Sequence, residues 1–250
     1  MANTMDCRAD AASYYDPEKN ATGDHYCFSE TTPTYIRHEF VKKVFAIVTL
    51  QLCATFGFML LASNVEPMRE FFIRNYFIGI IALVIFLVVS IVISCKRSLA
   101  HNKTVAFSLL ALMTTCMALY LTCFACKFAP FEITVAAGIT AGLTLAVALF
   151  AFQTKFDFTG YILYLLIISI ALLFSGIIIA IFPSKAGRIA YSSMAALLVC
   201  IYLVIDIQMA IGGKQYEWTI DDYVIAAVAI YSDIVSLFLH ILSIAGNSNN

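Results

Sequence analysis

Two aspartates lie inside long apolar runs near the C-terminal end of the sequence. Asp206 falls in a run from Ile189 to Ile211, and Asp233 falls in the next, from Tyr223 to Ala245. An aspartate at mid-membrane depth costs about 2.5–3.5 kcal/mol on insertion scales, so such an acid indicates a function and a partner. Because a short connection joins the two runs, each aspartate is the obvious partner of the other.

Paired carboxyls of this kind have three uses. In a low dielectric the two cannot both ionise cheaply, so they would share a proton and titrate as a unit, which suits a sensor of pH near neutrality. They could also shed the proton and bind calcium through their oxygens, or stay protonated as structural hydrogen-bond donors. A helical hairpin centred near Trp218 places Asp206 opposite Ile230, which leaves Asp233 offset by roughly 4.5 Å along the axis.

A polar stripe continues from Asp233 along the same helix. Ser236, His240 and Ser243 follow it at 3-4-3 spacing and therefore share its face. Such a stripe is what a water-lined ion pathway needs. The alternative is that the serines and the histidine only bond neighbouring helices, and for His240 alone we favour that interpretation.

A basic pair, Lys96-Arg97, opens the connection after the second apolar run. An Arg97 side chain reaching inward would pin the acid pair when that pair is charged. More often such a pair only marks the cytosolic side of a membrane protein.

The elements that position these residues follow from composition. Of the 250 residues, 62% are hydrophobic and 12% are charged, whereas soluble domains have about 45–50% and about 25%. A soluble globule could not hide so much apolar surface, and a net charge of −1 gives no field for holding nucleic acid. The composition predicts an all-α membrane protein in contact with the lipid bilayer.

The hydropathy pattern predicts a membrane domain over residues 36–250 after a disordered cytosolic tail, residues 1–35. Short connections make consecutive helices antiparallel neighbours. Seven apolar runs each approach the roughly 20 residues that cross a bilayer: Val44–Ser63, Tyr76–Cys95, Thr104–Phe124, Phe131–Phe152, Gly160–Phe182, Ile189–Ile211 and Tyr223–Ala245.

Orientation follows from the basic residues, which cluster on the cytosolic side of membrane proteins. One side of the predicted membrane domain carries five: Arg69, Arg74, Lys127, Lys185 and Arg188. The side of the N-terminal tail carries ten: Arg8, Lys19, Arg37, Lys42, Lys43, Lys96, Arg97, Lys103, Lys155 and Lys214. We therefore expect a cytosolic N-terminus.

Small residues and cysteines predict packing rather than chemistry. Gly138 and Gly142 form a small-xxx-small face that lets two helix backbones approach closely. The eight cysteines are scattered, and the lone Cys123-Phe-Ala-Cys126 pair lacks the further ligands of a zinc site, so we expect these sulfurs to pack.

Four stretches of the sequence resemble the transmembrane Bax inhibitor motif family, and specifically its lifeguard branch. Together they cover residues 36–246 in the right order, and the second is the most specific. They are Phe40-Val-Lys-Lys-Val-Phe45, Phe152-Gln-Thr-Lys-Phe-Asp-Phe-Thr159, Ile205-Asp-Ile-Gln-Met-Ala-Ile-Gly-Gly-Lys214 and Tyr223–Gly246, which includes Ile230-Tyr-Ser-Asp-Ile234.

The resemblance implies a seven-helix bundle with the last helix at its centre, a pH-sensitive calcium leak from internal stores, and protection from cell death. It places the family's aspartate pH sensor at Asp206 and Asp233, and a basic latch at Arg97 or Lys96. Lifeguard members usually carry Tyr where this chain has His240, so a role for that histidine would be particular to this sequence.

Two functions remain in competition. The first is a calcium leak channel of the endoplasmic reticulum or Golgi, with the endolysosome as an alternative, in which Asp206 and Asp233 sense pH and hold the transported calcium. The second is a non-conducting scaffold that restrains cell death by binding membrane regulators of apoptosis. We expect no enzyme and no cofactor, because the Gly-x-Gly-Asp and Pro-Ala-Leu sequences of intramembrane aspartyl proteases do not occur.

Overall fold

The computed structural model describes residues 34–95, 103–219 and 222–249, and within these ranges the chain is helical, without strands. The predicted all-α class is therefore confirmed. The described helices are α1 (Thr34–Asn64), α2 (Glu66–Arg74), α3 (Phe77–Cys95), α4 (Lys103–Ala125), α5 (Pro130–Gln153), α6 (Ile162–Ile181), α7 (Lys185–Ile211) and α8 (Tyr223–Asn249). A 3-10 turn at Thr159–Tyr161 precedes α6. The predicted tail, up to residue 33, lies outside the described residues.

Six helices are long and apolar enough to cross a membrane, namely α1 and α4 to α8. The segments Glu66–Arg74 and Phe77–Ile93 pass that test together but are bent by 71°, so the number becomes seven if this pair is one span. The connection predicted between the first two runs thus contains a helix, α2. Glu66 and Pro67 explain its start, since an acid in the first turn and a proline at the first positions favour a helix N-terminus.

The helix ends near the aspartates are set by local chemistry. Ser184 caps α7, its hydroxyl accepting the Gly187 N–H at 3.0 Å. Gly212 and Gly213 stop the same helix with φ of 78° and 77°, a conformation open to glycine and strained for other residues. The chain then turns back into α8, as the hairpin prediction requires.

The loops define two faces of the bundle. We call the end with residues 153–159 and 212–219 the N-terminal face, because α1 starts there. The end with residues 64–76, 126–130 and 182–188 is the opposite face. Hydrogen bonds join these segments at each end, such as Arg69 Nε to the Cys126 carbonyl at 3.2 Å on the opposite face.

The spans differ in how much of each is covered by other helices. The C-terminal helix α8 packs against α7, α5, α1 and α4, and 61% of its apolar window is buried. Helix α6 packs mainly on α7, and only 6% of the window in its span is buried. The first therefore belongs to the protein interior and the second to the lipid-facing surface.

Close helix approach occurs at a different glycine from the predicted pair. A Cβ placed on Gly138 or Gly142 would meet nothing within 4 Å, so the prediction that they join two helices is wrong for the described part of this chain. Both lie on an exposed side of α5, which hydropathy cannot distinguish from a buried one. A Cβ on Gly79 of α3, in contrast, would lie 2.7 Å from Cβ of Cys123.

The CxxC cysteines lie in a small apolar cluster beside that contact. Cys123 and Cys126 are buried together with Ala62 and Phe72. The described residues contain no group of three or more His, Cys, Asp and Glu side chains that could hold a metal ion. These two sulfurs fill space between α3, α4 and α1.

Candidate functional site

The structure brings Asp206 of α7 and Asp233 of α8 together. Their carboxyl groups lie close enough to interact with each other, between the two helices that share the most extensive packing in the described chain. A carboxylate only accepts hydrogen bonds, so a bond between two carboxyls needs at least one proton on the pair. Two carboxyls placed in this way can hold a proton in common.

The surroundings of the pair leave part of it unsatisfied. Apart from the facing carboxyl, the buried Oδ2 of Asp233 has no hydrogen-bond partner among the described residues. Cys200 of α7 lies close enough for the Asp233 charge to act on its thiol. Nearby, the buried hydroxyls of Thr55 and Tyr231 bond each other at 2.8 Å and tie α1 to α8. An acceptor whose only donor is the facing carboxyl loses that donor when the pair ionises, and a cation or a water would then be stabilised beside it.

The predicted latch cannot be placed. Lys96 and Arg97 both lie outside the described residues, in the gap between α3 and α4.

The polar stripe on α8 lines a cavity of about 640 Å³. Its polar wall on that helix is formed by Ser232, Ser236, His240 and Ser243, while α3, α4, α6 and α7 supply the rest. Ser232 and Ser236 lie before and after Asp233 on α8, but neither Asp233 nor Asp206 is among the residues that line the cavity. Of the stripe predicted from spacing, Ser236, His240 and Ser243 face this space, which extends along α8 to the level of Asp233.

Two members of the stripe also contact α7, as the alternative interpretation expected. The Ser192 hydroxyl donates to the Ser243 hydroxyl at 3.0 Å. The His240 ring meets the Tyr191 ring edge-on, with centroids 6.0 Å apart. These residues therefore bond neighbouring helices and line the cavity at the same time.

A second cavity, of about 630 Å³, opens at the opposite face. It is lined by residues that include Lys127, Glu132 and Asn247, and it shares Phe124, Arg188 and Ser243 with the first. The two cavities therefore adjoin at these three residues.

The pair could supply only part of a calcium site. Two carboxyls offer at most four oxygens, whereas Ca²⁺ takes six to eight oxygen ligands. Water or backbone oxygens would have to supply the others. The chemistry fits an ion in transit better than one held permanently.

A hydrogen-bonded clamp closes the N-terminal face just beyond the pair, and sequence analysis did not identify it. Gln208, two residues after Asp206 and 0% exposed, donates to the Phe156 carbonyl at 2.8 Å. It also accepts the Phe158 N–H at 3.0 Å. Lys214 reaches the Lys155 and Phe156 carbonyls at 3.1 and 3.3 Å.

Asp157 completes the clamp. Its carboxylate accepts the Thr159 hydroxyl at 2.6 Å, the Thr159 N–H at 2.9 Å and the Gln215 N–H at 2.9 Å. Partial burial acts to raise the pKa of Asp157, but these bonds and the Lys214 charge outweigh it and lower that pKa below its usual range. The two most specific stretches of the family resemblance therefore hold each other in place. Both stretches contain glutamine, lysine and aspartate, and these shared residue types were the signal available in the sequence. Their spacing does not reveal a contact between positions 50 residues apart.

Comparison with known proteins fits this arrangement. A family described as an inhibitor of apoptosis-promoting Bax1 matches residues 37–250. The chain belongs to this Bax inhibitor family. Human Protein lifeguard 3 is 27% identical over 94% of this chain and 77% of its own length, and the mouse protein of that name is 26% identical over 93% and 77%. Protein LIFEGUARD 4 of Arabidopsis thaliana is 29% identical over 84% of this chain and 85% of its own.

Membership in the Bax inhibitor family gives the site its context. The resemblance to the lifeguard proteins is confirmed. The chain is a multi-pass membrane protein of an anti-apoptotic family, in contact with the lipid bilayer.

Proposed function

We propose that this protein is a pH-sensitive calcium leak channel of an intracellular membrane, and that it restrains apoptosis by limiting the calcium held in the store. The membrane is that of the endoplasmic reticulum or Golgi, with the endolysosome as the alternative. In this proposal α2 and α3 form one broken span, the N-terminus is cytosolic, and α8 stands at the centre of seven spans. No catalytic step and no resident cofactor are involved.

The observation that carries the proposal is the contact between Asp206 and Asp233. A purely structural pair would be expected to receive donors from the surrounding helices as well, because an unpaired buried polar atom costs about 1–3 kcal/mol. Among the described residues no such donor reaches the buried Oδ2 of Asp233. Acids retained inside a membrane at this cost mark ion or proton pathways.

The proton on the pair acts as the switch. While it is present, the pair is at most singly charged and α7 is joined to α8. When it leaves, two like charges face each other in a low dielectric, where their repulsion is strong. The charged pair either separates the helices or draws in a cation, so the leak increases as pH rises through the titration of the pair.

The cavity supplies the approach to the switch. Its lining of serine hydroxyls and the His240 ring provides polar groups along α8 from the opposite face to the level of Asp233. An ion that keeps part of its water would lose less hydration there than against an apolar wall. The clamp around Gln208 lies on the other side of the pair and forms the barrier that must loosen.

The test is calcium efflux from vesicles containing only the purified full chain, at equal pH on both sides. The wild type should leak faster as pH rises, whereas Asp233→Asn and Asp206→Asn should stay near the low-pH rate at every pH. Glu70→Gln is the matched control, because it removes one carboxylate from an exposed pair with Arg74 and should leave the pH response intact.

Two outcomes contradict the proposal in different ways. An unchanged pH response in both aspartate variants would remove the pair from the mechanism. Absence of efflux from the wild type at every pH would favour the non-conducting scaffold, especially if protection from cell death survived loss of both acids.

A further inference from the structure

The cavity beside α8 reaches the lipid-facing surface between α3 and α6. Leu87 of α3 lines the cavity and is 50% exposed. Ala180 of α6 lines the facing wall and is also exposed. Because α3 packs mainly on α4 and α6 mainly on α7, this side has an opening toward the bilayer.

The inner wall near this opening is apolar. Leu83 and Phe86 of α3, Met117 of α4 and Ile179 of α6 all line it. These side chains belong to other helices than the serine stripe, which lies on α8. The space therefore has one wall suited to hydrocarbon and one suited to polar groups.

The end of the space at the opposite face is positively charged. Arg188 and Lys127 line the mouth together with a single carboxylate, Glu132. One oxygen of that carboxylate already accepts the Ala129 N–H at 3.1 Å. Arg188 is exposed, and its Nε is directed by a bond to Asn247 at 2.9 Å. An anionic group complements this mouth, and a guanidinium suits a phosphate in particular.

A charged mouth at the membrane boundary matches a lipid headgroup, and the apolar space that opens into the bilayer matches an acyl chain. We propose that this space binds one phospholipid with an anionic headgroup from the adjoining leaflet. Its phosphate lies at Arg188 and Lys127, and an acyl chain enters the cavity between α3 and α6.

A bound lipid would also affect the calcium leak, and this effect rests on the proposed function. The acyl chain would fill the same space that Ser236 and His240 line, below Asp233. A bound lipid would therefore close the ion pathway, and its departure would be needed for the leak. Binding itself does not depend on whether the protein conducts.

The test measures lipid retention by native mass spectrometry of the full chain in detergent. Phosphatidylglycerol should bind at one saturable site per chain, about tenfold more tightly than phosphatidylcholine with the same acyl chains, because both lipids carry the phosphate but the choline ammonium is repelled by the positive mouth. Inorganic phosphate should not displace it. Full displacement by phosphate would indicate a free-anion site and overturn the proposal.

Matched variants separate this site from general lipid adhesion. Arg188→Gln should weaken both lipids and remove the preference for phosphatidylglycerol, whereas Lys185→Gln removes a charge from the same helix end outside both cavities and should do neither. Ala180→Phe narrows the opening and should weaken both lipids, whereas Ile178→Phe on the exposed surface of α6 should weaken neither. Equal binding across either matched pair of variants would overturn the proposal.

The two proposals fail separately. Retained lipid with no calcium efflux contradicts only the leak, and efflux without selective lipid binding contradicts only the lipid site.

Discussion

The two ends of the α7–α8 hairpin are built differently. At the N-terminal face, Gln208, Asp157 and Lys214 join the 153–159 loop to the end of α7 through hydrogen bonds to backbone groups. At the opposite face, the same helices line two adjoining cavities whose polar groups include Ser243 and Arg188. The aspartate pair lies between a closed end and an open one.

Polar residues of similar type therefore have different roles at the two ends of the hairpin. A buried amide that completes two backbone hydrogen bonds fixes a loop, since each unmade bond would carry a penalty. A serine that lines a cavity leaves the helix bonds intact and makes the space polar. A channel with access from one side needs both the loop-fixing amide and the cavity-lining serines. The acid pair lies at the level between them.

The largest expected effect is at the closed end. Gln208→Leu would leave the Phe158 N–H without its partner and the Phe156 carbonyl with only the longer bond from Lys214, which we expect to cost about 1–3 kcal/mol for the N–H and about 0.5–1.5 kcal/mol for the lost carbonyl bond. The thermal unfolding midpoint in detergent measures this. Gln51→Leu is the control, because Gln51 makes one side-chain bond, to Thr114, and should cost less than half as much. Equal losses in the two variants would show that the clamp is not a special source of stability.

A smaller effect is expected at the open end. Ser236→Leu would place an apolar side chain in the cavity and should slow calcium efflux about tenfold, since an ion then meets an apolar constriction. Ser175→Leu on the exposed surface of α6 is the matched control, and its hydroxyl bonds only its own helix at the Ala171 carbonyl. If both variants leaked at the wild-type rate, the cavity would not be the pathway.

Sequence reasoning recovered the all-helical class and six of the spans, and it anticipated that Asp206 and Asp233 lie near each other. Helix α7 ends at Ile211 and α8 begins at Tyr223, as the hydropathy pattern predicted, because glycine and polar residues interrupt a continuous apolar run there. Antiparallel counting from the turn brought Asp206 to within about one helical turn of Asp233. Side-chain length spans the remaining offset.

The remaining features depend on which side of a helix faces protein. Gly138 and Gly142 have the spacing of a packing face, yet both are exposed, since a helix that is apolar all round carries no signal of its buried side. Helix α2 was predicted as a connection because nine residues fall short of a span. The clamp joins segments far apart in sequence, and one chain alone does not show which distant polar groups meet.

The smallest expected effect is a loss of stability at acidic pH that depends on Asp157. The ionised Asp157 is stabilised in the folded protein, so its contribution is complete above the unfolded pKa of about 3.9 and is lost as pH falls through the lower folded value. In Asp157→Asn the thermal midpoint should therefore fall less than in the wild type between pH ~5 and ~3. Glu70→Gln, at an exposed ion pair, should follow the wild type. If the thermal midpoint of Asp157→Asn fell with pH as steeply as that of the wild type, the clamp would not depend on this charge.

Infrared spectroscopy of the purified chain can observe the shared proton itself. Near neutral pH the wild type should show a carbonyl band of a protonated carboxyl group that disappears in a single titration as pH rises, and either Asp206→Asn or Asp233→Asn should remove or shift that band. If the band is missing at neutral pH, or is unchanged in both variants, the two aspartates do not hold a proton between them and cannot be the switch.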